Sequence, residues 1–311
     1  MTNVIITDTH FGAKQNSITW FNSQSDFIYK QLIPSIKRIS GGVRLIHMGD
    51  VFDSRASISV YIAKKVRKIF EDLAEVCEEV IIIAGNHDFY SPNTDEYDSL
   101  SLTLENIDRV RLVIKDCYQT DEYLFVPWYK WDGLEIPNNV KYVFAHTDIV
   151  GQDPNIRKGV KVFSGHIHYP FFKGNRYNLG SCYSLDFSDS NKQRGFYILQ
   201  DDKLEFIPNE HSIRFWRLKN DEIFEVGDFN EFDYLELYIN QINLSLPAYV
   251  EKINDYTKIY KNVWVIPMSE SSLQEDIKFE GYDIEGIIKE NLPEELKEKF
   301  DKIKQRLNEC I

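Results

Sequence analysis

Five short apolar runs in this chain each lead into aspartate, asparagine or histidine. Val4-Ile5-Ile6 is followed by Asp8 and His10, Val43 to Ile46 by Asp50 and Asp53, and Val80 to Ile83 by Asn86, His87 and Asp88. Tyr142 to Phe144 leads to His146, and Val160 to Phe163 leads to the pair His166 and His168. Singly each is bland: Asp-x-His after a strand is ordinarily a turn or cap, Gly-Asn-His-Asp a capped turn, and His-x-His a surface site or cross-strand packing. Together they hold five of the seven histidines, in company with carboxylates. Ligands bind at the carboxyl ends of strands in open α/β sheets, so these groups are expected to converge. Four imidazoles, two or three carboxylates and an amide are more donors than one tetrahedral ion takes, and without thiolates they suit a borderline or hard ion such as Mn²⁺. Two ions are implied. Held about 3.5–4 Å apart by a shared carboxylate, such a pair activates a water and clamps the oxygens of a phosphoryl centre during in-line displacement. Gly49, Gly85 and Gly165 would let the backbone approach closely at the strand ends. An extended His166-Ile167-His168 would point both imidazoles the same way, which leaves open whether they share an ion.

The elements that must position these groups are legible as apolar, β-branched runs. Besides the five above, Arg111 to Ile114, Leu124 to Val126, Arg176 to Leu179, Gly195 to Leu199 and Leu204 to Ile207 read as strands. Helical spacing covers about 25–39 and 59–76, with Tyr61, Val66, Ile69, Leu73 and Val76 along one side of the second. Helix between strands early and strands later predicts an α/β (α+β) sandwich of layered sheets flanked by helices over residues 1–210. Residues 211–270 read as a small α/β module: a strand at 234–239, a helix at about 248–256 and a strand at 263–266. Residues 271–311 read as charged helix, with Leu296, Phe300, Ile303 and Leu307 at helical spacing after Pro293.

Composition excludes several classes. With 311 residues, 43% hydrophobic, the chain can bury an ordinary core. No run approaches the roughly 18 apolar residues of a membrane span. The stretch MTNVIITDTH lacks the features of a signal peptide, so the cytoplasm is the expected compartment, the host's if a phage encodes the chain. Cys77, Cys117, Cys182 and Cys310 form no CxxC pair, so neither a zinc ribbon nor a disulfide framework is expected. The net charge of −13 argues against indiscriminate binding to polyanions. The acidity is concentrated away from the motifs: 13 basic against 21 acidic residues in 211–311, and 23 against 28 in 1–210. His47 is expected to pack or bond behind the motifs, His211 has no assigned role, and Lys64, Lys65, Arg67 and Lys68 form a solvated helix face. Arg157, Lys158, Arg176 and Arg194 are weak candidates for phosphate contacts.

In order and spacing, Asp8-x-His10, Gly49-Asp50-x-x-Asp53, Gly85-Asn86-His87-Asp88, His146 and Gly165-His166-x-His168 resemble the five-part signature of the calcineurin-like metallophosphoesterases. The flanks GDVFDSRAS, VPW, SGHIH and RGFYILQDDKLEFIPN resemble the SbcD-type DNA repair nucleases, those of phages among them, in outline over most of the chain. The resemblance implies a four-layer sandwich in which Asp8, His10 and His168 bind one divalent ion and Asn86, His146 and His166 another, with Asp50 bridging. Mn²⁺ is the implied ion, with Mg²⁺ the alternative. His87 matches the histidine that meets the scissile phosphate, and Asp53 an acid that orients that histidine in many members, although some related nucleases carry histidine there. Asp88 is expected to support its loop, and Ala145 stands where glycine is common, a small steric change. The resemblance further implies 3′-to-5′ exonuclease action on duplex ends and endonuclease action on single strands. It also implies a capping, DNA-selecting role for 211–270, docking of 271–311 on an SbcC-type coiled-coil ATPase, and a homodimer.

Two other functions use the same residues. One is a phosphatase or cyclic-nucleotide phosphodiesterase, although the Arg-Gly that follows Gly-Asp-x-Val-Asp in protein phosphatases is here Ser54-Arg55. The other is a scaffold that kept the fold without catalysis, against which the complete ligand set and His87 count.

Overall fold

The computed structural model describes residues 1–268 apart from 56, 92–93, 149–155 and 226–228. The helix expected in 271–311 lies outside the described residues. Two six-stranded sheets form the larger unit. The first runs Lys203–Pro208, Gly195–Gln200, Thr2–Ile6, Val43–His47, Glu79–Ile83, Val110–Val113. Its last four strands are parallel, so their carboxyl ends lie on one side. The second runs Phe171–Lys173, Arg176–Asn178, Lys161–Gly165, Tyr142–His146, Tyr123–Val126, Tyr118–Thr120, with its four central strands parallel.

The two-residue period of each strand decides what it meets. Ile5, Ile46, Ile81 and Ile83 point from the first sheet onto Phe125, Phe144 and Phe163 of the second. Those rings stack in a column, Phe125 to Phe144 at 5.5 Å and Phe144 to Phe163 at 5.1 Å between centroids. The alternate residues Val4, Ile6, Leu45, Val80 and Ile82 face helices. On the outer side of the second sheet, Val143, Ala145 and Val162 are covered by irregular segments carrying Trp131, Leu134, Val140 and Ile156. Parallel strands buried on both faces read as continuous apolar runs, which is why they stand out in the sequence.

The helix Val60–Val76 starts where the Ser59 side chain accepts the Ile62 N–H at 3.2 Å, and it buries Ile62, Val66, Ile69, Phe70 and Leu73 along one stripe. On its outer face Arg67 and Lys68 pair with Glu71 and Asp72, contacts of little stabilising value in solvent. The helix expected from residue 25 begins earlier, at Ile18, because Ser17 caps it by accepting the Trp20 N–H. It continues to Arg38 through a π-helical stretch, Phe27–Leu32.

A smaller unit contains a three-stranded parallel sheet, Phe215–Lys219, Tyr234–Asn240 and Asn262–Met268, with the helix Pro247–Ile259 against Leu235, Leu237 and Ile239. The strand Phe215–Lys219 escaped the sequence reading because its order comes from pairing with Tyr234–Tyr238 and not from a run of its own. Trp20, Ile213 and Phe215 bury together at the junction, with Phe187 and Tyr234 against them. Among the described residues no helix is long and apolar enough to cross a membrane.

Candidate metal centre

The loops after the parallel strands are bound to one another before any side chain converges. Asp8 N–H donates to Gly49 O and His10 N–H to Asp50 O, each at 3.0 Å. Asp88 organises the next pair of loops: its carboxylate accepts the N–H groups of Gly85, Asp50, Val51 and Phe52 at 2.9–3.3 Å. Burial and the neighbouring Asp50 charge push Asp88 up to about 7, whereas four N–H donors favour the carboxylate that accepts them. Asp88 thus supports the loop and is not among the convergent donors. Gly49 is required twice over: its φ is +101°, and a Cβ there would lie 2.4 Å from His146 Nδ1. Asp8, His10, Asp50 and His166 all take positive φ, at 53°, 41°, 54° and 84°. Such conformations cost about 1–3 kcal/mol each and persist where surrounding contacts over-determine them.

Among the described residues two donor groups result. Asp8, His10 and His168 form one, and Asp50, His146 and His166 the other. In the first, His10 Nε2 and His168 Nε2 are 3.2 Å apart, with Asp8 Oδ1 at 4.0 and 3.8 Å from them. In the second, Asn86 Oδ1 stands 3.0 Å from His146 Nε2 and 2.9 Å from His166 Nδ1. Asp50 Oδ2 lies between the groups, 3.3 Å from His146 Nε2 and 3.8 Å from His10 Nε2. His166 and His168 therefore join different groups, because the left-handed φ of His166 breaks the extended alternation after Gly165.

These contacts are mostly between acceptors. His146 Nδ1–H is committed to Met48 O at 2.7 Å, so Nε2 presents a lone pair to Asn86 Oδ1 and Asp50 Oδ2. A proton or a cation must separate them. Two donor atoms about 2.1 Å from one ion and at right angles stand about 3 Å apart, the spacing of His10 from His168 and of Asn86 and Asp50 from His146, while Asp8 Oδ1 at 3.8–4.0 Å corresponds to a wider angle at the ion. The residues present therefore fit divalent ions. A proton can do the same work: burial opposes the charge on His146, but Asp50 raises it to about 9 and is itself lowered. His166 and His168 are lowered, chiefly by burial.

Binding at the second group must then release the His146 proton, so Mn²⁺ affinity is expected to rise up to about tenfold per pH unit between about 7 and 9 and to level off above. Calorimetric titration in two buffers of different ionisation enthalpy reads the released proton, and an affinity flat across that range would refute the assignment.

His87 stands beside both groups and in neither. Its backbone N–H donates to Asp50 Oδ1 at 2.7 Å, and its ring lies 4.9 Å from that of His10, edge to face. Its Nδ1–H donates to the backbone carbonyl of Asp53 at 2.6 Å, not to the carboxylate expected to orient it. The Asp53 carboxylate faces His10 Nδ1 instead, at 3.5 Å. A carbonyl can only accept, so Nε2 of His87 is left to meet a substrate.

Residues 1–214 match the calcineurin-like phosphoesterase family. The chain belongs to that family. It is also similar to exonuclease subunit 1 of Enterobacteria phage T4, with 25% identity over 293 residues that cover 86% of this chain and 85% of that protein. The phosphoesterase fold accounts for the two stacked sheets and implies divalent metals, which the two donor groups at the strand ends could hold. His47 lies behind the centre, buried and lowered to about 3 by burial and the neighbouring His146, with Nε2 2.9 Å from Thr9 Oγ1. It bonds to the ligand loop without entering the site. Two arginines considered for phosphate contacts serve the fold: Arg194 is buried against Asp189, and Arg157 donates to the carbonyls of Pro137 and Val140. His211 enters neither donor group. The sequence reading missed Trp128 as a neighbour of the site; its ring is 4.7 Å from His166 and 5.8 Å from His146. It missed Gln24 too, one polar residue among several on a helix that carries no motif.

Proposed function

We propose that this phosphoesterase is the nuclease subunit of an SbcCD-type DNA recombination and repair complex, hydrolysing DNA phosphodiesters with two Mn²⁺ ions. The observation that carries the reading is the pair of donor groups with Asp50 Oδ2 lying between them, and His87 beside them with its Nε2 uncommitted. Bound ions would supply Lewis acidity and a water acidified to a nucleophile. The chain's own part is positional. Asp50 holds the His87 backbone, the Asp53 carbonyl fixes the ring, and Nε2, when protonated, donates to the leaving oxygen. The likeness to a phage exonuclease subunit supports DNA as substrate and a partner subunit. On this reading the unit from 211 to 270 caps the site and helps select DNA, and 271–311 dock on a coiled-coil ATPase.

The decisive experiment incubates the purified chain and Mn²⁺ with end-labelled duplex DNA and, separately, a small phosphomonoester, with and without the ATPase. Nucleotide release supports the reading. Turnover of the monoester without DNA cleavage refutes it in favour of a phosphatase, and no turnover of either points to a scaffold. Deleting 271–311 is expected to abolish complex formation, and an unchanged complex would end the docking proposal.

A homodimer is supported by exposed apolar side chains near the helix Ser99–Leu104. Tyr90, Tyr97 and Leu102 are 64%, 62% and 86% exposed and line one open hollow with Ile58 and Arg55. Leu102→Glu is expected to convert a dimer to a monomer by light scattering while leaving Mn²⁺ binding unchanged. A wild-type chain that is already a monomer removes the proposal.

A further inference from the structure

The loop carrying Asp8 and His10 is held from behind by one amide. Gln24, 2% exposed on the helix Ile18–Asp26, donates Nε2 to Thr9 O at 2.8 Å, to the Tyr183 hydroxyl at 2.9 Å and to His10 O at 3.3 Å. Tyr183, equally buried, donates its hydroxyl to the same Thr9 carbonyl. Those carbonyls belong to the stretch whose residues Asp8 and His10 take left-handed φ, so their peptide planes are what these donors set. His10 Nε2 is in turn the atom that faces His168 at 3.2 Å.

The same helix is gripped by the smaller unit and the segment leading to it. Trp20 packs on Phe215 and Tyr234, with ring centroids 5.9 and 6.0 Å apart. Ser23 Oγ accepts the Ile213 N–H at 2.7 Å. Gln31 donates to Pro208 O at 2.6 Å and accepts the Glu210 N–H at 3.0 Å. One helix therefore touches the three-stranded sheet on one side and the ligand loop on the other.

We infer that Gln24 is a positioning residue for the metal centre, fixing the Thr9–His10 segment, and with it the Asp8, His10 and His168 group, from a helix anchored on the smaller unit. The inference rests on the two-ion reading. An amide suits the place because its two N–H groups can serve the clustered acceptors, whereas a carboxylate of the same shape has none and sets negative charge against carbonyl oxygens. The metal ligand's own partners usually matter at this level: their loss lowers metal affinity about 10–100-fold.

The test titrates Mn²⁺ alone into the full chain and into Gln24→Glu, Gln24→Met and Gln31→Met. Calorimetry gives the affinities, and electron paramagnetic resonance separates spin-coupled ion pairs from single ions. Wild type is expected to take two ions. Both Gln24 variants should lose about 10–100-fold in affinity at one site and keep the other, showing single ions at a loading where wild type shows coupled pairs. Gln31→Met, on the same helix but off the loop, should titrate as wild type. Gln24 variants that titrate as wild type overturn the inference. So does a Gln31→Met that weakens binding as much as they do, since the helix as a whole would then be responsible. A wild type that takes fewer than two ions overturns the two-ion reading and this inference together. Thermal unfolding checks that each variant folds; should Gln24→Met not fold, Gln24→Leu, which also removes both N–H donors from Thr9 O and His10 O, replaces it with the same outcomes.

Discussion

Replacing His87 by alanine is expected to lower the rate of phosphodiester hydrolysis about a hundred- to ten-thousand-fold, the usual share of a positioned proton donor, while Mn²⁺ binding stays as in wild type. The two halves of this expectation come from separate observations. The ring stands outside both donor groups, so its loss removes no ligand. Its Nδ1–H is tied to the Asp53 carbonyl, which leaves Nε2 as the atom that can protonate a leaving oxygen. The loss corresponds to about 3–5 kcal/mol of transition-state stabilisation. Single-turnover rates at saturating Mn²⁺, with bound ions counted in parallel, check it. A variant that loses ions and rate together would make His87 a structural part of the centre. The carbonyl contact adds a second discrimination: Asp53→Asn keeps the main-chain acceptor, so it should spare the His87 ring and act through His10, where the carboxylate lies 3.5 Å from Nδ1.

Gly85→Ala is expected to weaken both metal positions at once. A Cβ at residue 85 would lie 2.2 Å from Asp50 Oδ1 and 2.4 Å from Asp50 N. The carboxylate could swing aside, but the backbone nitrogen cannot; it is held by Asp88 Oδ2 at 2.9 Å. The loop bearing Asp50 must move, and Asp50 Oδ2 is the oxygen that lies between the two groups. Overpacking of this kind costs about 1–3 kcal/mol of stability. The larger effect is on metal: a fall of at least 10–100-fold is expected at each site, about that of losing a ligand's orienting partner. Calorimetry and thermal unfolding read the two effects separately. Retention of either ion at wild-type affinity would show that Asp50 does not connect the groups.

Much of the fold and the site was legible in the sequence because parallel strands buried on both faces must be continuously apolar, and because a strand's carboxyl end is marked by the first polar residues after it. Asp8, Asp50, Asn86, His146 and His166 announce themselves in that way, and the helix Val60–Val76 by its stripe. The strand Phe215–Lys219 and the early start of the first long helix did not, since one is ordered by its neighbour and the other by the Ser17 cap and the burial of Trp20, Phe21 and Gln24.

The motifs themselves establish which donors gather, since residue types and strand ends are local properties. How those donors are divided is not local. Whether His166 and His168 share a group depends on a left-handed φ at His166, and on the Asp8 carboxylate that accepts the His166 N–H from 158 residues away. That Asp53 turns its carbonyl to His87 and its carboxylate to His10, and that an unmarked glutamine braces the ligand loop, follow from loops locked together across the sheet. Such contacts join residues far apart in the chain, and no periodicity or spacing along it records them.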